Sequence, residues 1–472
     1  MKKMIMAALL AAMAGTSYAQ QSEKQMIEEE NRYRFQLHDS VKADSMHKLI
    51  LKTYPNGWTV RRQAFTEAFN HRNDFHEYLV GLLKKWPMEE SARLDAYQEF
   101  VYYNAIRSFA SDYFSGEYDQ QELISLMPGM DFKTLAEVMR TTAAIYHIKQ
   151  AVSDSLNYPM AKALIEQMAL KTKDGSYCED GYMTQQQSDS LATALLEGHR
   201  GTYADILLAV GKPAEALGQI ALISKERRYA TPEVNETHIK ALRQTGQQEK
   251  VGEVIKGAFE ANAVTPAMLD IVKADYTATN SSADGFDDYL NSLKSEKGAA
   301  ALKAEIQNKL INTPYKAFTL KDMNGNTVSS KDWQGKVVVL DFWASWCYPC
   351  KNSFPGMQLA VDHFKNDPDV LFYFIDTMEH GDGYEQKARD YMKEKGFTFN
   401  VLFDAKADPK KPGNNQVVFK QMNDINHSMA IPRKMFLKDG RVRFTTEGYS
   451  GSPSQLADEV IYAVESLKKL KN

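Results

Sequence analysis

The spacing of apolar and polar residues changes character near residue 312. Upstream, apolar positions recur at mixed three- and four-residue intervals, the mark of helices that bury one face. This pattern predicts helices over 23–51, 60–86, 91–114, 132–153, 159–172, 185–197 and 286–310. Tyr54-Pro55-Asn56-Gly57 reads as a turn, Pro87 ends the second helix, and 280–285 is a polar loop. Tyr97, Phe100, Tyr103 and Phe109 supply an apolar face for the third helix.

Downstream, the period shortens and elements alternate. Short strands at 317–320 and 327–329 flank a turn at Met323-Asn324-Gly325-Asn326. The run Val337, Val338, Val339, Leu340 reads as a strand buried on both faces. A helix over 347–364, an apolar strand over 370–375 and a helix over 384–395 follow. Then come a Lys-, Pro-, Gly- and Asn-rich loop (404–415), a short helix (417–422), a hairpin about Asp439-Gly440 and a closing helix (453–470). The predicted fold class is therefore α + α/β: an all-helical N-terminal region, then an α/β layer with a mixed sheet. The expected divisions are 1–19, 20–312 and 313–472.

Within 201–276 the helical pattern echoes itself. Leu207, Val210 and Gly211 recur as Leu242, Thr245 and Gly246, an offset of 35, and Thr231-Pro232 recurs as Thr265-Pro266, an offset of 34. The echo resembles tetratricopeptide-type helical hairpins, whose period is about 34 residues; a generic helical bundle accommodates the same spacing.

Composition narrows the function. A chain of 472 residues, 43% hydrophobic and 25% charged, is an ordinary globular protein of two to four domains. A net charge of −4 leaves no basic footprint, which argues against nucleic acid as a partner. The histidines at 38, 47, 71, 76, 147, 199 and 238 show no metal-ligand spacing, so neither a metal nor another cofactor is expected. Lys2 and Lys3, the apolar run from Met4 to Ala14 and Ser17-Tyr18-Ala19 read as a signal peptide cleaved after Ala19. That run is shorter than the ~20 residues needed to span a bilayer. No cysteine precedes Cys178 to carry a lipid. The mature chain is thus expected to be exported, periplasmic and soluble, in an oxidising compartment.

Only three cysteines are present, and two of them, Cys347 and Cys350, stand where the buried strand hands over to a helix. A sulfur at a helix N-terminus meets the positive end of the dipole and free N–H groups, which favour the thiolate. Two cysteines one turn apart can close on each other, and so small a loop adds little stability through chain entropy. Thiol–disulfide exchange is the chemistry this pattern supports. Cys178, in the acidic stretch Asp174-Gly175-Ser176-Tyr177-Cys178-Glu179-Asp180, reads as an unreactive thiol.

Several further positions align with this pair. Asp341 precedes Cys347 by six residues, Phe342-Trp343-Ala344 follows Asp341, Trp346 abuts Cys347, and Pro349 and Pro355 bracket the start of the helix. Ala430-Ile431-Pro432 lies before the hairpin. On these residues, 315–472 resembles the thioredoxin fold and, within it, the exported TlpA/ResA-like thiol–disulfide reductases of cytochrome c maturation. The resemblance implies Cys347 as nucleophile, Cys350 as resolving thiol and Asp341 as a buried acid/base. It implies Trp346, Tyr348, Pro349, Ile431 and Pro432 as substrate-binding residues, with a cis bond at Pro432. Protein disulfides are the implied substrates, recycled by an electron-donating membrane or periplasmic thiol protein; a homodimer through the helical region is a further expectation.

Three departures from the family pattern stand out. Ser353 occupies the place of a glutamate found in many of these reductases, leaving the acid role to Asp341. Ungapped alignment puts Phe372 where cytoplasmic thioredoxins hold a lysine near the aspartate, so Asp341 is expected to lack that cation. Tyr348-Pro349 contains no histidine of the kind that stabilises strong oxidants, which favours a reducing or intermediate potential. A disulfide isomerase or oxidase, and a partner-binding helical scaffold with an accessory thioredoxin module, are the alternatives. A peroxidase is disfavoured because no Pro-x-x-x-Thr-x-x-Cys surrounds Cys347.

Overall fold

The computed structural model describes residues 22–470, apart from 89, 91–100, 178–182, 283, 409 and 427. The stretch 1–19 read as a signal peptide, Cys178, Tyr97, Phe100 and the side chain of Tyr103 lie outside the described residues. The chain forms two compact units that meet in sequence between Ile223 and Ser224.

The first unit is helical, and side-chain caps divide it more finely than apolar periodicity predicts. The stretch 23–51 forms a helix at Glu23–Asn31, a π-helical turn at Arg32–Gln36 and a second helix at Ser40–Thr53. The break falls where Asp39 accepts the Lys42 N–H (3.0 Å) and His38 adopts φ +51°; a short polar side chain that satisfies free helix N–H groups starts a new helix. The stretch 60–86 likewise splits into Trp58–Glu67 and Phe75–Lys85. Glu23 caps the first of these from a distance in sequence, accepting the N–H groups of Trp58 (2.9 Å) and Thr59 (2.8 Å). Phe65, Phe109, Tyr113, Phe114 and Phe132 are fully buried and supply the aromatic bulk of the unit's core.

The sequence echo marks a repeated way of ending a helix. Gly211 has φ +76° and Lys212 donates to the Leu207 carbonyl (2.8 Å); Gly246 has φ +74° and Gln247 donates to Leu242 (2.8 Å). Glycine carries no Cβ penalty in this left-handed conformation, so both helices stop cleanly and reverse.

The second unit joins helices between Lys225 and Asn308 to an eight-stranded sheet. Its strands are β1 (Thr313–Pro314), β2 (Thr319–Asp322), β3 (Thr327–Ser329), β4 (Val337–Trp343), β5 (Val370–Asp376), β6 (Val401–Phe403), β7 (Arg433–Lys438) and β8 (Arg441–Glu447). Their order is β1-β8-β7-β4-β5-β6-β2-β3; β4, β5 and β6 run parallel to one another, while β7 is antiparallel to β4 and β2 antiparallel to β6. Four helices pack on the sheet: α1 (Tyr348–His363), α2 (Tyr384–Lys395), α3 (Val417–Asn426) and α4 (Pro453–Lys469). The α + α/β class and the mixed sheet agree with the sequence pattern. Strands β1 and β6 went unpredicted because two or three residues are too few to display an alternation.

Every residue of β4 is buried, as its unbroken apolar run demands. Val337, Val339 and Trp343 face a core shared with Phe354 and Met357 of α1 and Val460 and Val464 of α4. Val338, Leu340 and Phe342 face the other layer, with Phe419 and Met422 of α3. A Cβ on Gly356 would lie 2.7 Å from the Pro453 carbonyl oxygen, so only glycine lets α1 and α4 approach this closely. The first helices of the unit dock on α4: Asn262 donates to Asp458 (3.0 Å), the Val264 N–H to Ser454 (3.1 Å), and Lys294 pairs with Asp458 (2.7 Å).

Candidate active site

Strand β4 ends at Trp343, and Ala344, Ser345 and Trp346 carry the chain into α1. Cys347 is the N-cap of that helix: its sulfur accepts the Cys350 N–H at 3.2 Å. Cys347 and Cys350 are joined as a disulfide, buried at 3% and 0% exposure. Trp346 and Tyr348 flank it at 46% exposure each, and Pro349 is exposed. The Ile431–Pro432 peptide is cis, and the Ile431 carbonyl oxygen lies 3.9 Å from the Cys347 sulfur. Cys347, Cys350, Trp346, Tyr348, Pro349, Ile431 and Pro432 are thus brought to one end of the sheet. Ser353 is fully buried and donates to the Cys350 carbonyl (2.8 Å), a bond internal to the helix.

Asp341 lies below, on the face of β4 that carries Val339 and Trp343, and is 1% exposed. Burial pushes its carboxyl up to about 6, against the opposing pull of Lys434. The expectation that Asp341 lacks a cation is corrected here. In the register of the sheet Phe372 stands opposite Val339, and Asp341 has Phe374 on its β5 side. Its partner on the β7 side is Lys434, with Nζ 3.8 Å from Oδ1. The cation comes from the antiparallel neighbour, which an ungapped comparison with β5 does not reach. Lys434 is fully buried, and among the described residues neither its ammonium nor either oxygen of Asp341 has a hydrogen-bond partner. A charge-bearing pair in the core with no hydrogen-bond partners departs from the usual satisfaction of buried polar groups and marks a candidate functional site. Lys434 had one legible signal: it adjoins the apolar run Met435, Phe436, Leu437, where an ionisable side chain is out of place.

Four further residues at the site were not foreseen. The segment after β5 runs Thr377-Met378-Glu379-His380. Glu379, 5% exposed, accepts both the Ser345 N–H and the Ser345 hydroxyl, the latter at 2.8 Å. The Trp346 indole N–H donates to the Met378 carbonyl (2.9 Å), and its ring stacks on His380 with centroids 4.8 Å apart. Asn415, fully buried, secures the segment from the 404–415 loop. Nothing in the spacing of these residues predicts that they meet.

Among the described residues, no helix is long and apolar enough to cross a membrane. Residues 311–436 match the model of the AhpC/TSA family. The chain is 36% identical over 87 residues to the thiol-disulfide oxidoreductase ResA of Bacillus subtilis, covering 18% of this chain and 46% of that protein. It is 29% identical over 94 residues to the sporulation thiol-disulfide oxidoreductase A of the same organism, covering 20% and 55%. The chain thus spans about half the length of the curated relatives it matches. Among solved structures, the thioredoxin domain of a thiol-disulfide oxidoreductase from Bacteroides vulgatus aligns with 20% identity and a TM-score of 0.26, over 33% of this chain and 96% of that one. StoA from Bacillus subtilis aligns with 24% identity and a TM-score of 0.24, over 30% and 96%. The C-terminal segment is a thioredoxin-fold domain, and the family match within it begins at residue 311.

Proposed function

We propose that the protein is an exported thiol–disulfide oxidoreductase that reduces disulfides of protein substrates. The observation that carries this reading is the Cys347–Cys350 disulfide at the N-cap of α1, set beside the Ile431 carbonyl and above a buried, unsatisfied Asp341–Lys434 pair. The dithiol, Asp341, the exposed rim and the Ile431–Pro432 segment act together in this reading, and the relatives' names favour it.

In the reduced enzyme the Cys347 sulfur, held by the Cys350 N–H and the helix dipole, is the thiolate. It attacks one sulfur of a substrate disulfide; the other sulfur leaves as a thiolate and takes up a proton. The Cys350 thiol gives its proton to the Asp341 carboxylate and attacks the Cys347 sulfur of the mixed disulfide. The second substrate thiol departs, and the enzyme is left as the Cys347–Cys350 disulfide. Two electrons pass to the substrate, and an electron-donating thiol protein returns them. An acid near 6 suits this proton transfer around neutral pH, because it is neither always charged nor always neutral there. Trp346, Tyr348 and Pro349 form the exposed rim on which a substrate segment lies, while Ile431 offers its backbone to that segment as an added strand. The helical half selects the client or pairs two copies of the chain.

A Cys350→Ser variant exported in its host tests the reading. It is expected to accumulate mixed disulfides through Cys347, whereas Cys347→Ser loses roughly 10³-fold or more in a disulfide-reduction assay. A Cys347→Ser protein as active as the parent overturns the proposal. Reactivation of a scrambled multi-disulfide protein without net reduction favours the isomerase alternative instead.

A further inference from the structure

The turn that presents Cys347 is held from outside α1. Glu379 grips Ser345, two residues before Cys347, through both the N–H and the hydroxyl. Met378 holds the intervening Trp346 through its indole N–H (2.9 Å). This clamp is itself braced. The Glu379 N–H donates to the Asn415 side-chain oxygen (2.9 Å), the Asn414 N–H donates to the Glu379 carbonyl (2.8 Å), and the Met378 N–H donates to the Asn415 carbonyl (2.9 Å). The Asn415 amide also donates to both the backbone and the side-chain oxygen of Asp376, each at 3.0 Å. Gly413 is required alongside, since a Cβ there would lie 2.2 Å from the Glu379 carbonyl oxygen.

We propose that Glu379 is a positioning residue for Cys347: it fixes the Ser345–Trp346 turn, and its carboxylate charge holds the Cys347–Cys350 pair toward the reducing side. The inference rests on the oxidoreductase reading above and adds to it a residue outside the dithiol and its Asp341–Lys434 pair.

A second carboxyl, Asp376, neighbours Glu379. Asp376 is fully buried, and its Oδ2 has no donor partner. Burial and the nearby charge of Glu379 both raise its proton affinity. The Ser345 N–H and hydroxyl donate to the two oxygens of Glu379, an arrangement that suits a side chain which only accepts, and a proton held on Asp376 leaves it intact. The other charged or titratable groups acting on this pair are Lys351 on α1, Asp404 at the end of β6 and Tyr384 at the start of α2. An anion bonded two residues before Cys347 opposes its thiolate. Because a stabilised thiolate favours the reduced form, as in strong oxidants, opposing it makes the dithiol the better reductant.

Two substitutions separate charge from grip. Glu379→Gln keeps an oxygen for the Ser345 N–H and an amide for the hydroxyl but removes the charge; Glu379→Ala removes both. The full chain is equilibrated with glutathione, in which the protein disulfide and two glutathione thiols give the dithiol and one glutathione disulfide. The fraction oxidised is read by the mass of alkylated thiols. In Glu379→Gln this equilibrium is expected to shift about tenfold toward the dithiol, ~30 mV, and the Cys347 thiol is expected to titrate at lower pH. In Glu379→Ala, kcat/KM in disulfide reduction falls, and Glu379→Gln restores it. An equilibrium in Glu379→Gln unchanged within about threefold overturns the charge role, and equal kcat/KM in parent and Ala variant overturns the grip. If the Ala variant does not fold, the grip is supported by that result only when Glu379→Gln folds normally; a Gln variant that also fails to fold overturns the separation of charge from grip. Failure of the underlying reading is seen separately, as activity that survives Cys347→Ser.

Discussion

His147 in the helical unit and Asp341 in the sheet unit are both buried titratable groups, and their surroundings are opposite. The His147 ring lies between two carboxylates, Nδ1 2.6 Å from Asp154 and Nε2 2.9 Å from Asp205. Burial lowers the imidazole's proton affinity, but the bonds to Asp205 and Asp154 more than reverse this, and its pKa ends above the ordinary value. Both ring nitrogens donate, so the protonated ring is fully satisfied. Asp341 has an ammonium 3.8 Å away and no hydrogen bond at all. A satisfied buried ion ties helices together. An unsatisfied one keeps a proton affinity raised by burial, as the proposed proton transfer from Cys350 requires. Both groups are buried; what differs between them is the completeness of their hydrogen bonds.

Four substitutions test this contrast, the first as a reference free of charge. Phe354 packs its ring against Trp343, Phe374, Phe397 and Phe399. Phe354→Ala is expected to cost ~3–5 kcal/mol by the cavity it leaves, by the same amount at pH 4 and pH 8 in denaturant titrations. A strongly pH-dependent loss would remove it as a reference.

Asp341 gives the next largest effect. Its folded-state pKa, about 6, lies above the ordinary 3.8, so between these values the folded state binds more protons than the unfolded one. Stability from this group is therefore full below pH 4 and falls as pH rises toward 6, by up to about 3 kcal/mol. Asp341→Asn is expected to abolish this fall in the oxidised protein and to slow exchange near neutral pH. Lys434→Met removes the opposing cation, so the fall extends to higher pH. Parallel stability–pH curves for parent and Asp341→Asn would end the contrast with His147.

His147→Ala gives the smallest change, ~1–3 kcal/mol from the lost charge-assisted bonds. Its folded-state pKa is raised, so its contribution is complete below about pH 6.5 and disappears as pH rises through the folded value. The two units thus lose stability on alkalinisation in different windows, Asp341 between pH 4 and 6 and His147 above 6.5. Unfolding of the parent and the variant at pH 5.5 and 8.5 reads the difference, and disulfide reduction by the His147 variant should be unaffected.

The strand and helix that carry the site could be read directly from local pattern. Val337 to Phe342 is too uniformly apolar to be anything but a covered strand, and Cys347-x-x-Cys350 followed by Pro355 announces the helix. The helix breaks at Asp39 and at 71–74 were hidden, because apolar spacing persists across a cap that depends on one polar side chain. Glu379 and Asn415 were invisible for another reason: each lies in a loop, where no period constrains what a side chain will meet.

The sequence by itself therefore determined the class of the fold, the dithiol and its place at a helix N-terminus, since these follow from interactions within one strand, one turn and one helix. The partners of that dithiol were decided only by the tertiary structure. Lys434 meets Asp341 because the β4–β7 register sets them side by side, and Glu379 meets Ser345 because the ends of β4 and β5 are neighbours in a parallel pair. Cross-strand register arises from packing both faces of the sheet at once, and residues distant in the chain carry no local mark of it.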